Sequence, residues 1–238
     1  MVDSQQLPQK ANLTGNNKTN SHYPPNCRGK GHTTMHGLFA EQGPDAIPLA
    51  GADLLFHNSV ELGLTGDEVL QELLEKTPWQ QESITLYGKT HLQPRLLAWY
   101  GDPNAPYSYS GKTYQPRPWT PLLLDLRDRV SAISGASFNS VLLNFYRDER
   151  DSMGLHADDE PELGSRPVIA SLSLGATRRL YFKHKTRRDL RPYNLDLPSC
   201  SLLVMRGETQ HYWKHGVRKQ SRHCGPRINL TFRHIFPT

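Results

Sequence analysis

Residues Arg227-Ile228-Asn229-Leu230-Thr231-Phe232-Arg233 alternate strictly between polar and apolar side chains. This period of two predicts a β-strand with one apolar face and one polar face. The polar face presents Arg227, Asn229, Thr231 and Arg233. It is either a solvated outer surface, as in most alternating strands, or part of a pocket for a small diacid bound by guanidinium and hydroxyl groups. Because unpaired charges are costly to bury, an inward orientation would imply an anionic ligand.

The sequence before this strand predicts a mainly β chain with flanking helices. A capping box at Thr65 and Glu68 begins a short helix, and Thr120-Pro121 begins a second helix that Gly135 closes. Short strands separated by turn residues are predicted at residues 52–56, 83–89, 93–101, 138–146, 167–174, 179–183, 195–197, 201–206 and 211–215. An antiparallel β body preceded by helices is typical of an α+β chain with a jelly-roll core.

The composition restricts the class of protein. The chain has 238 residues and a net charge of +5, which permits a nucleic-acid partner without establishing one. Cys27, Cys200 and Cys224 form no disulfide pattern, so we expect a reducing compartment, cytoplasmic or nuclear. The first thirty residues lack the apolar core of a secretion signal, and the apolar runs are too short to span a bilayer. We therefore expect a monomer without a membrane partner.

A histidine and an aspartate are separated by one residue in His156-Ala157-Asp158. This pair could supply two ligands of the two-histidine, one-carboxylate site of non-haem Fe(II) oxygenases. A polar loop tip is the alternative, because so short a pattern also arises by chance. His211 and His215 are both candidates for a third ligand, with His223 a more remote one, and spacing alone does not choose between them.

Two further features suit a nucleic-acid partner. Tyr107 and Tyr109 alternate, so in an extended segment both rings would share a face and could stack on nucleobases, or could instead be core residues. Basic residues cluster at 178–191 and 214–222. Such clusters contact phosphates or simply form a solvated face.

Several of these segments together resemble the AlkB family of Fe(II)- and 2-oxoglutarate-dependent nucleic-acid dealkylases. The resemblance runs from about Trp79 to Phe236 and is most specific at residues 227–233. Its other segments are Pro94 to Gly101, Phe138-Asn139-Ser140, Asn144-Phe145-Tyr146, His156 to Glu160 and Trp213-Lys214-His215. It implies a double-stranded β-helix whose mouth holds iron on His156, Asp158 and His215, which would be the catalytic metal ligands.

The resemblance also implies roles for the residues around the metal. The 2-oxoglutarate cosubstrate would bind with its distal carboxylate on Arg227 and its metal-side carboxylate near Arg233, beside Asn144, Tyr146 and Thr231. A flipped-out base would stack between His156 and Tyr107, and Asp159, supported by Glu160, would favour a cationic base. Some family members carry, near the position of Tyr87, a side chain that fills the space left in the stack by the flipped base. The substrate-binding residues implied are Tyr87, Trp99, Tyr107, Tyr109, Asp159 and Glu160.

The implied activity is direct-reversal repair of DNA, with RNA as a further substrate. Fe(II), 2-oxoglutarate and O2 would hydroxylate the methyl group of 1-methyladenine or 3-methylcytosine, releasing formaldehyde and succinate. The alternatives are an RNA demethylase, a hydroxylase of another substrate with the same chemistry, and a catalytically inactive nucleic-acid-binding β-domain. We expect a disordered polar tail at residues 1–44 and a dioxygenase domain at 45–238, with helices and nucleotide-recognition hairpins at 45–137 and the jelly-roll core at 138–238.

Overall fold

A computed structural model describes residues 43–86, 89–103, 105, 107–109 and 112–236, with the backbone alone for residues 84–86, 89, 107–109 and 112–114. The helices are α1 (Gly66–Lys76), α2 (Pro121–Ser134) and α3 (Thr209–Tyr212), with a short 3₁₀ helix at Pro161–Leu163. The strands are β1 (Asp45–Ala46), β2 (Asp53–His57), β3 (Ser83–Leu86), β4 (Lys89–Leu92), β5 (Leu96–Gly101), β6 (Tyr107–Tyr109), β7 (Lys112–Tyr114), β8 (Ser140–Tyr146), β9 (Met153–His156), β10 (Ile169–Gly175), β11 (Arg178–His184), β12 (Tyr193–Leu197), β13 (Leu202–Arg206), β14 (Trp213–Val217) and β15 (Arg227–Arg233).

Two antiparallel sheets dominate the described part of the chain. The major sheet has the strand order β1-β2-β13-β10-β15-β8-β5, and the minor sheet has the order β12-β11-β14-β9. The pairs β3–β4 and β6–β7 form separate hairpins. Facing antiparallel sheets with crossing connections confirm the predicted jelly-roll. Strands from both sides of the predicted division at residue 138 belong to the major sheet.

The apolar residues form two clusters, one on each face of the major sheet. Helices α1 and α2 pack on the outer face, where Leu70 and Leu126 belong to the same buried cluster as strand residues such as Leu230. The inner cluster lies between the sheets and includes Phe182, Trp213 and Met205. Both helices have the predicted ends: Thr65 and Glu68 form the capping box of α1, and Gly135, with φ of 65°, ends α2.

Strand β15 is buried along its whole length, which decides between the two interpretations of its polar face. Ile228, Leu230 and Phe232 belong to the cluster beneath the helices. Because neighbouring strand residues point to opposite faces, Arg227, Asn229, Thr231 and Arg233 point toward the minor sheet. All seven residues of β15 are buried. The polar face is therefore the wall of an interior site.

The region of the histidines departs from the sequence prediction in two places. The strand predicted at 211–215 is wrong in its first half: His211 lies in α3, where its backbone N–H donates to the carbonyl of Glu208 at 3.0 Å. The loop tip that was the alternative for His156-Ala157-Asp158 does not hold for its first residue, because His156 ends strand β9, which pairs with β14. Both differences arise from contacts between distant segments, which local periodicity does not encode.

Parts of the sequence prediction lie outside the described residues. They are the tail at 1–44, apart from residues 43 and 44, and Tyr87. None of the helices that the structure describes combines the length and apolar composition needed to cross a membrane.

Candidate metal centre

His156, Asp158 and His215 come together at the open edge of the minor sheet. One potential ligand atom from each lies within 4.8 Å of the others. The pairing of β9 with β14 sets His156 opposite His215, with ring centroids 4.4 Å apart. Of the three histidines considered from sequence as a third ligand, the structure brings His215 to the pair. His211 is exposed on α3, and His223 lies beside the carboxylate of Glu149 at 3.0 Å.

The protonation states of this triad suit a metal ion. Burial opposes ionisation of Asp158, but Arg233, His156 and His215 outweigh it and hold the pKa of the carboxyl at about 2. Burial, reinforced by His156 and Arg233, lowers the pKa of His215 to about 3. An ionised carboxylate beside a neutral imidazole is the form that coordinates a divalent cation.

Buried polar atoms at the triad also fit a metal. Asp158 is only 2% exposed, and its Oδ1 accepts a hydrogen bond from Nη2 of Arg233 at 2.6 Å. Among the described residues, Oδ2 of Asp158 and Nδ1 of His215 have no hydrogen-bond partner. The backbone N–H of Asp158 donates to Oε1 of Gln210 at 2.9 Å, which fixes the carboxylate in place. Two histidines and one carboxylate form the facial donor set that suits non-haem Fe(II).

A small cavity, called here the inner cavity, lies between the sheets behind the triad. Its volume is about 30 Å³. Its walls come from central strands of both sheets and include Tyr146, Ser171, Met205 and Asn229. All five residues predicted to contact 2-oxoglutarate line it: Asn144, Tyr146, Arg227, Thr231 and Arg233.

Arg227 gives the inner cavity a positive charge. It is 1% exposed, and its Nη2 donates to Oγ of Ser173 at 2.9 Å. Among the described residues, no carboxylate forms an ion pair with it, and its Nε and Nη1 lack a hydrogen-bond partner. Burial lowers the pKa of Arg227 to about 10, although the nearby Tyr146 oxygen partly compensates, so the guanidinium stays charged at neutral pH. A buried charge of this kind implies an anionic ligand.

Other polar side chains brace the wall of the inner cavity. Nε of Arg95 donates to Oδ1 of Asn144 at 2.8 Å, and Arg95 is itself buried. Oγ1 of Thr231 donates to Oδ1 of Asn229 at 3.1 Å, and Nδ2 of Asn229 donates to Oγ of Ser171 at 2.8 Å. These bonds hold the polar face of β15 and the end of β8 in one arrangement.

A larger cavity, called here the outer cavity, lies on the other side of the triad. Its volume is about 180 Å³. Its lining has an apolar part, called here the apolar wall, and a polar part, called here the polar arc. The apolar wall consists of Leu97, Ala98, Trp99 and Leu142, and the polar arc of Gln80, Glu82, Gln93, Arg95, Gln115 and Arg117. Met153, His156, Asp158 and Arg233 line both cavities, so the triad stands at their junction.

The residues predicted for substrate binding have different positions. Trp99 is buried in the apolar wall of the outer cavity. Tyr107 and Tyr109 lie in strand β6, but their side chains are outside the described part of the structure, as is Tyr87. The carboxylate of Asp159 accepts a hydrogen bond from Nζ of Lys185 at 2.8 Å. Neither Asp159 nor Glu160 is among the described residues that line the outer cavity.

The predicted basic clusters are only partly available to a partner. Arg178 is buried and donates to the carbonyls of Asp148, Asp151 and Arg218, so its inclusion in an exposed cluster is wrong. Arg179 pairs with Asp196, and Arg187 pairs with Asp189. The basic residues that remain exposed without such a pair are Lys183, Arg188, Arg191, Lys214, Arg218, Lys219 and Arg222.

Several site residues were not found from the sequence. Arg95 had a usable signal, since it is a charged residue before an apolar strand, Leu96-Leu97-Ala98. Gln210 and Gln93 had none, because their positions depend on α3 and on the end of the β3–β4 hairpin. Met153 was overlooked because strand β9 was not predicted.

Comparison with known proteins agrees with this geometry. Residues 64–233 match the model of the "2OG-Fe(II) oxygenase superfamily". The solved structure titled "The structure of OsALKBH1" superposes with a TM-score of 0.55 over 80% of this chain and 99% of that chain, at 19% sequence identity. That likeness supports the fold.

Curated relatives are closer in sequence. "Alpha-ketoglutarate-dependent dioxygenase alkB homolog 3" from Mus musculus is 44% identical over 179 residues, which are 72% of this chain and 62% of that protein. "DNA oxidative demethylase ALKBH2" from Mus musculus is 41% identical over 181 residues, which are 72% of this chain and 76% of that protein. The chain therefore spans less than two thirds of the length of the homolog 3 proteins that it matches.

Proposed function

Because the chain belongs to the AlkB family of the 2OG-Fe(II) oxygenase superfamily, we propose that it oxidatively demethylates N-methylated nucleobases, with 1-methyladenine and 3-methylcytosine as substrates. One observation carries the proposal: a complete two-histidine, one-carboxylate triad joins a positively charged inner cavity to an outer cavity with an apolar wall. The superfamily uses Fe(II), 2-oxoglutarate and O2. Relatives whose printed names are dioxygenase and DNA oxidative demethylase support the same reaction.

The inner cavity suits 2-oxoglutarate. Arg227 would bind the distal carboxylate, since a guanidinium group offers paired donors and this one has Nε and Nη1 without partners among the described residues. Asn144, Tyr146 and Thr231 would complete the contacts. Arg233 bonds the ligand Asp158, so it lies where it would approach the carboxylate next to the metal.

When bound, Fe(II) and 2-oxoglutarate supply the oxidation of the methyl group by O2. The protein's part is to position the reactants and exclude water. His156, Asp158 and His215 would hold the metal at the junction, Arg227 would orient the cosubstrate, and the outer cavity would present the base. The hydroxymethyl product then loses formaldehyde and leaves the unmodified base.

The outer cavity suits a single base removed from its stack. A base within a duplex cannot reach an interior metal and must be flipped out, unless the strand is single. Trp99 and Leu142 provide the apolar surface for the ring. We also propose that the base stacks between the rings of His156 and Tyr107, and that Tyr109 contacts the substrate beside them. A base-reading role for Asp159, with Glu160 beside it, would require the carboxylate to leave Lys185.

A nucleic-acid partner has further support from the surface. Lys183 and Lys214 are exposed and occupy paired positions on β11 and β14, in the sheet that carries two of the metal ligands. Phosphate contacts from such residues supply affinity without reading sequence. Cys200 and Cys224 are free thiols, which suits the reducing compartment expected for a cytoplasmic or nuclear protein.

The proposal is tested by mass spectrometry of a single-stranded DNA oligonucleotide carrying 3-methylcytosine. The protein is incubated with Fe(II), ascorbate and 2-oxoglutarate in air, and His156→Ala serves as the inactive control. Loss of the methyl mass with the wild-type protein alone is expected. Succinate formed without loss of the methyl group would direct the search to another substrate of the same chemistry. Neither product, from folded and iron-loaded protein, would leave a nucleic-acid-binding domain as the better interpretation.

A further inference from the structure

Apart from the metal-ligand candidate Asp158, Gln93 is the one polar residue of the outer cavity, among those the structure describes, that is almost fully buried with an unused acceptor. Gln93 is 1% exposed, and its Oε1 has no hydrogen-bond partner among the described residues. The neighbouring Arg95 is also buried, but its Nε is engaged with Asn144. A buried acceptor without a donor loses the hydrogen bond that it makes to water in the unfolded chain. Such a group in the wall of a cavity therefore points to a ligand that supplies the donor.

The backbone of Gln93 does not explain why its side chain is polar. Its N–H donates to the carbonyl of Glu82 at 2.8 Å, and its carbonyl accepts from Nε2 of Gln81 at 2.9 Å. These contacts fix the residue where the β3–β4 hairpin returns toward β5. They need no carboxamide at position 93, because an apolar side chain would leave both of them in place.

We propose that the Gln93 carboxamide selects bases that carry an exocyclic amino group next to the methylated nitrogen. This inference rests on the proposed demethylase function. In 1-methyladenine and 3-methylcytosine the methylated ring nitrogen is flanked by a carbon that bears –NH2. That amino group would donate to Oε1 of Gln93 while the methyl group faces His156 and Asp158, which line the same cavity.

Bases with a carbonyl oxygen at that position would be disfavoured. 3-Methyluracil, which has a carbonyl group on each side of its methylated nitrogen, would set an acceptor against the acceptor of Gln93, leaving both without a donor. A site built to hydrogen-bond a substrate group discriminates strongly against an analogue that lacks it. Glutamine has no charge, so this selection is separate from any attraction between a carboxylate and a cationic base.

The test compares single-stranded oligonucleotides that differ only in 3-methylcytosine or 3-methyluracil. The ratio of their kcat/KM values is measured for wild type, Gln93→Met and Gln93→Glu. Methionine keeps the length and neutral charge of the side chain but removes the acceptor, so the preference for the amino base should fall roughly tenfold. Glutamate keeps an acceptor and should retain the preference. Gln71→Met is the matched control, because Gln71 is exposed on helix α1 and lines neither cavity, so it should leave the ratio unchanged.

The same ratio is obtained from dissociation constants with Mn(II) and 2-oxoglutarate under nitrogen, where no turnover occurs. An inactive wild-type protein would contradict the proposed function. The ratio of the dissociation constants for the two oligonucleotides would still test whether Gln93 selects the amino base. If wild type is active but Gln93→Met keeps its ratio, or prefers the amino base more strongly, the selection role is overturned and the demethylase proposal stands. Thermal unfolding of each variant checks that the hairpin contacts survive.

Discussion

The inner and outer cavities meet at the same triad, yet they are built from different parts of the fold. Most of the lining of the inner cavity comes from strands with a partner on both sides, among them β8, β10, β14 and β15. The outer cavity lies beside β5, the edge strand of the major sheet, and is completed by residues 80–82, 93–95 and 115–117. We therefore expect the inner cavity, proposed for 2-oxoglutarate, to tolerate less change than the outer cavity, proposed for the base, since loops and edges tolerate change better than central strands.

The largest effect is expected from Arg227→Met, which removes the charge of the inner cavity. The KM for 2-oxoglutarate should rise about 30-fold or more, because truncating one member of a buried charge pair costs roughly 2–5 kcal/mol. The free energy of unfolding without 2-oxoglutarate should not fall, since an uncompensated buried charge is itself costly. Steady-state kinetics and urea unfolding measure the two quantities.

Arg179→Met is the matched control for this substitution. Arg179 pairs with Asp196 on the exposed face of the minor sheet, so the KM for 2-oxoglutarate should be unchanged. If Arg227→Met kept the wild-type KM, the inner cavity would not be the cosubstrate site and the contrast between the cavities would disappear.

A smaller effect is expected from Gly216→Ala, at the junction of the cavities. A Cβ at position 216 would lie 2.8 Å from the carbonyl oxygen of Met153 and 2.9 Å from that of Gly154. Strand β9 would have to move away from β14, separating His156 from His215. Disturbing the support of metal ligands typically lowers metal affinity about 10- to 100-fold. Titration with Mn(II) measures the loss.

Gly154→Ala provides the control on the facing strand. A Cβ at Gly154 would meet no atom within 4 Å, so the Mn(II) dissociation constant should match wild type. Equal Mn(II) affinities for the two alanine variants would show that the distance between β9 and β14 does not limit metal binding.

The smallest effect is expected from Lys185→Gln, at the rim. Lys185 is 23% exposed and bonds Asp159, so its removal frees a carboxylate beside the triad. Selectivity for cationic 3-methylcytosine over neutral 3-methyluracil should rise up to about fivefold, since ion pairs of this kind contribute roughly 0.2–1 kcal/mol. The ratio of kcat/KM values is the measurement.

Arg187→Gln is the control for this substitution. It breaks the exposed pair with Asp189 and should have no effect on the ratio. A reduced selectivity in Lys185→Gln would argue that Asp159 needs Lys185 to be positioned.

The sequence predicted the inner cavity far better than the outer one. Arg227, Thr231 and Arg233 share one strand, and Asn144 and Tyr146 share the strand beside it. Period two predicted which residues of each strand share a face, and the resemblance to the AlkB family assigned both sets to one site. Gln80, Gln93, Arg117 and Leu142 are brought together by tertiary contacts, including the pairing of Gln80 with Leu97 and of Arg117 with Tyr100. No local pattern encodes such contacts.

The metal ligands illustrate the same limit. Spacing suggested His156 and Asp158, but left His211 and His215 as equal candidates. The choice depends on where α3 ends, since the helical turn removes His211 from the strand that carries His215. The fold class was easier to predict because it required only the number and alternation of short strands, most of which lie within a few residues of their predicted limits.

The hydrogen bond between Arg233 and Asp158 has a mechanical consequence. Arg233 belongs to the major sheet, whereas Asp158 follows β9 of the minor sheet, so the bond fastens one sheet to the other at the open end of the sandwich. A cation held by His156, Asp158 and His215 would cross-link β9 to β14 within the minor sheet and would also fix the carboxylate that Arg233 bonds from the major sheet. Loss of the cation would therefore loosen the edge strand β9 first, and with it the bond that joins the two sheets.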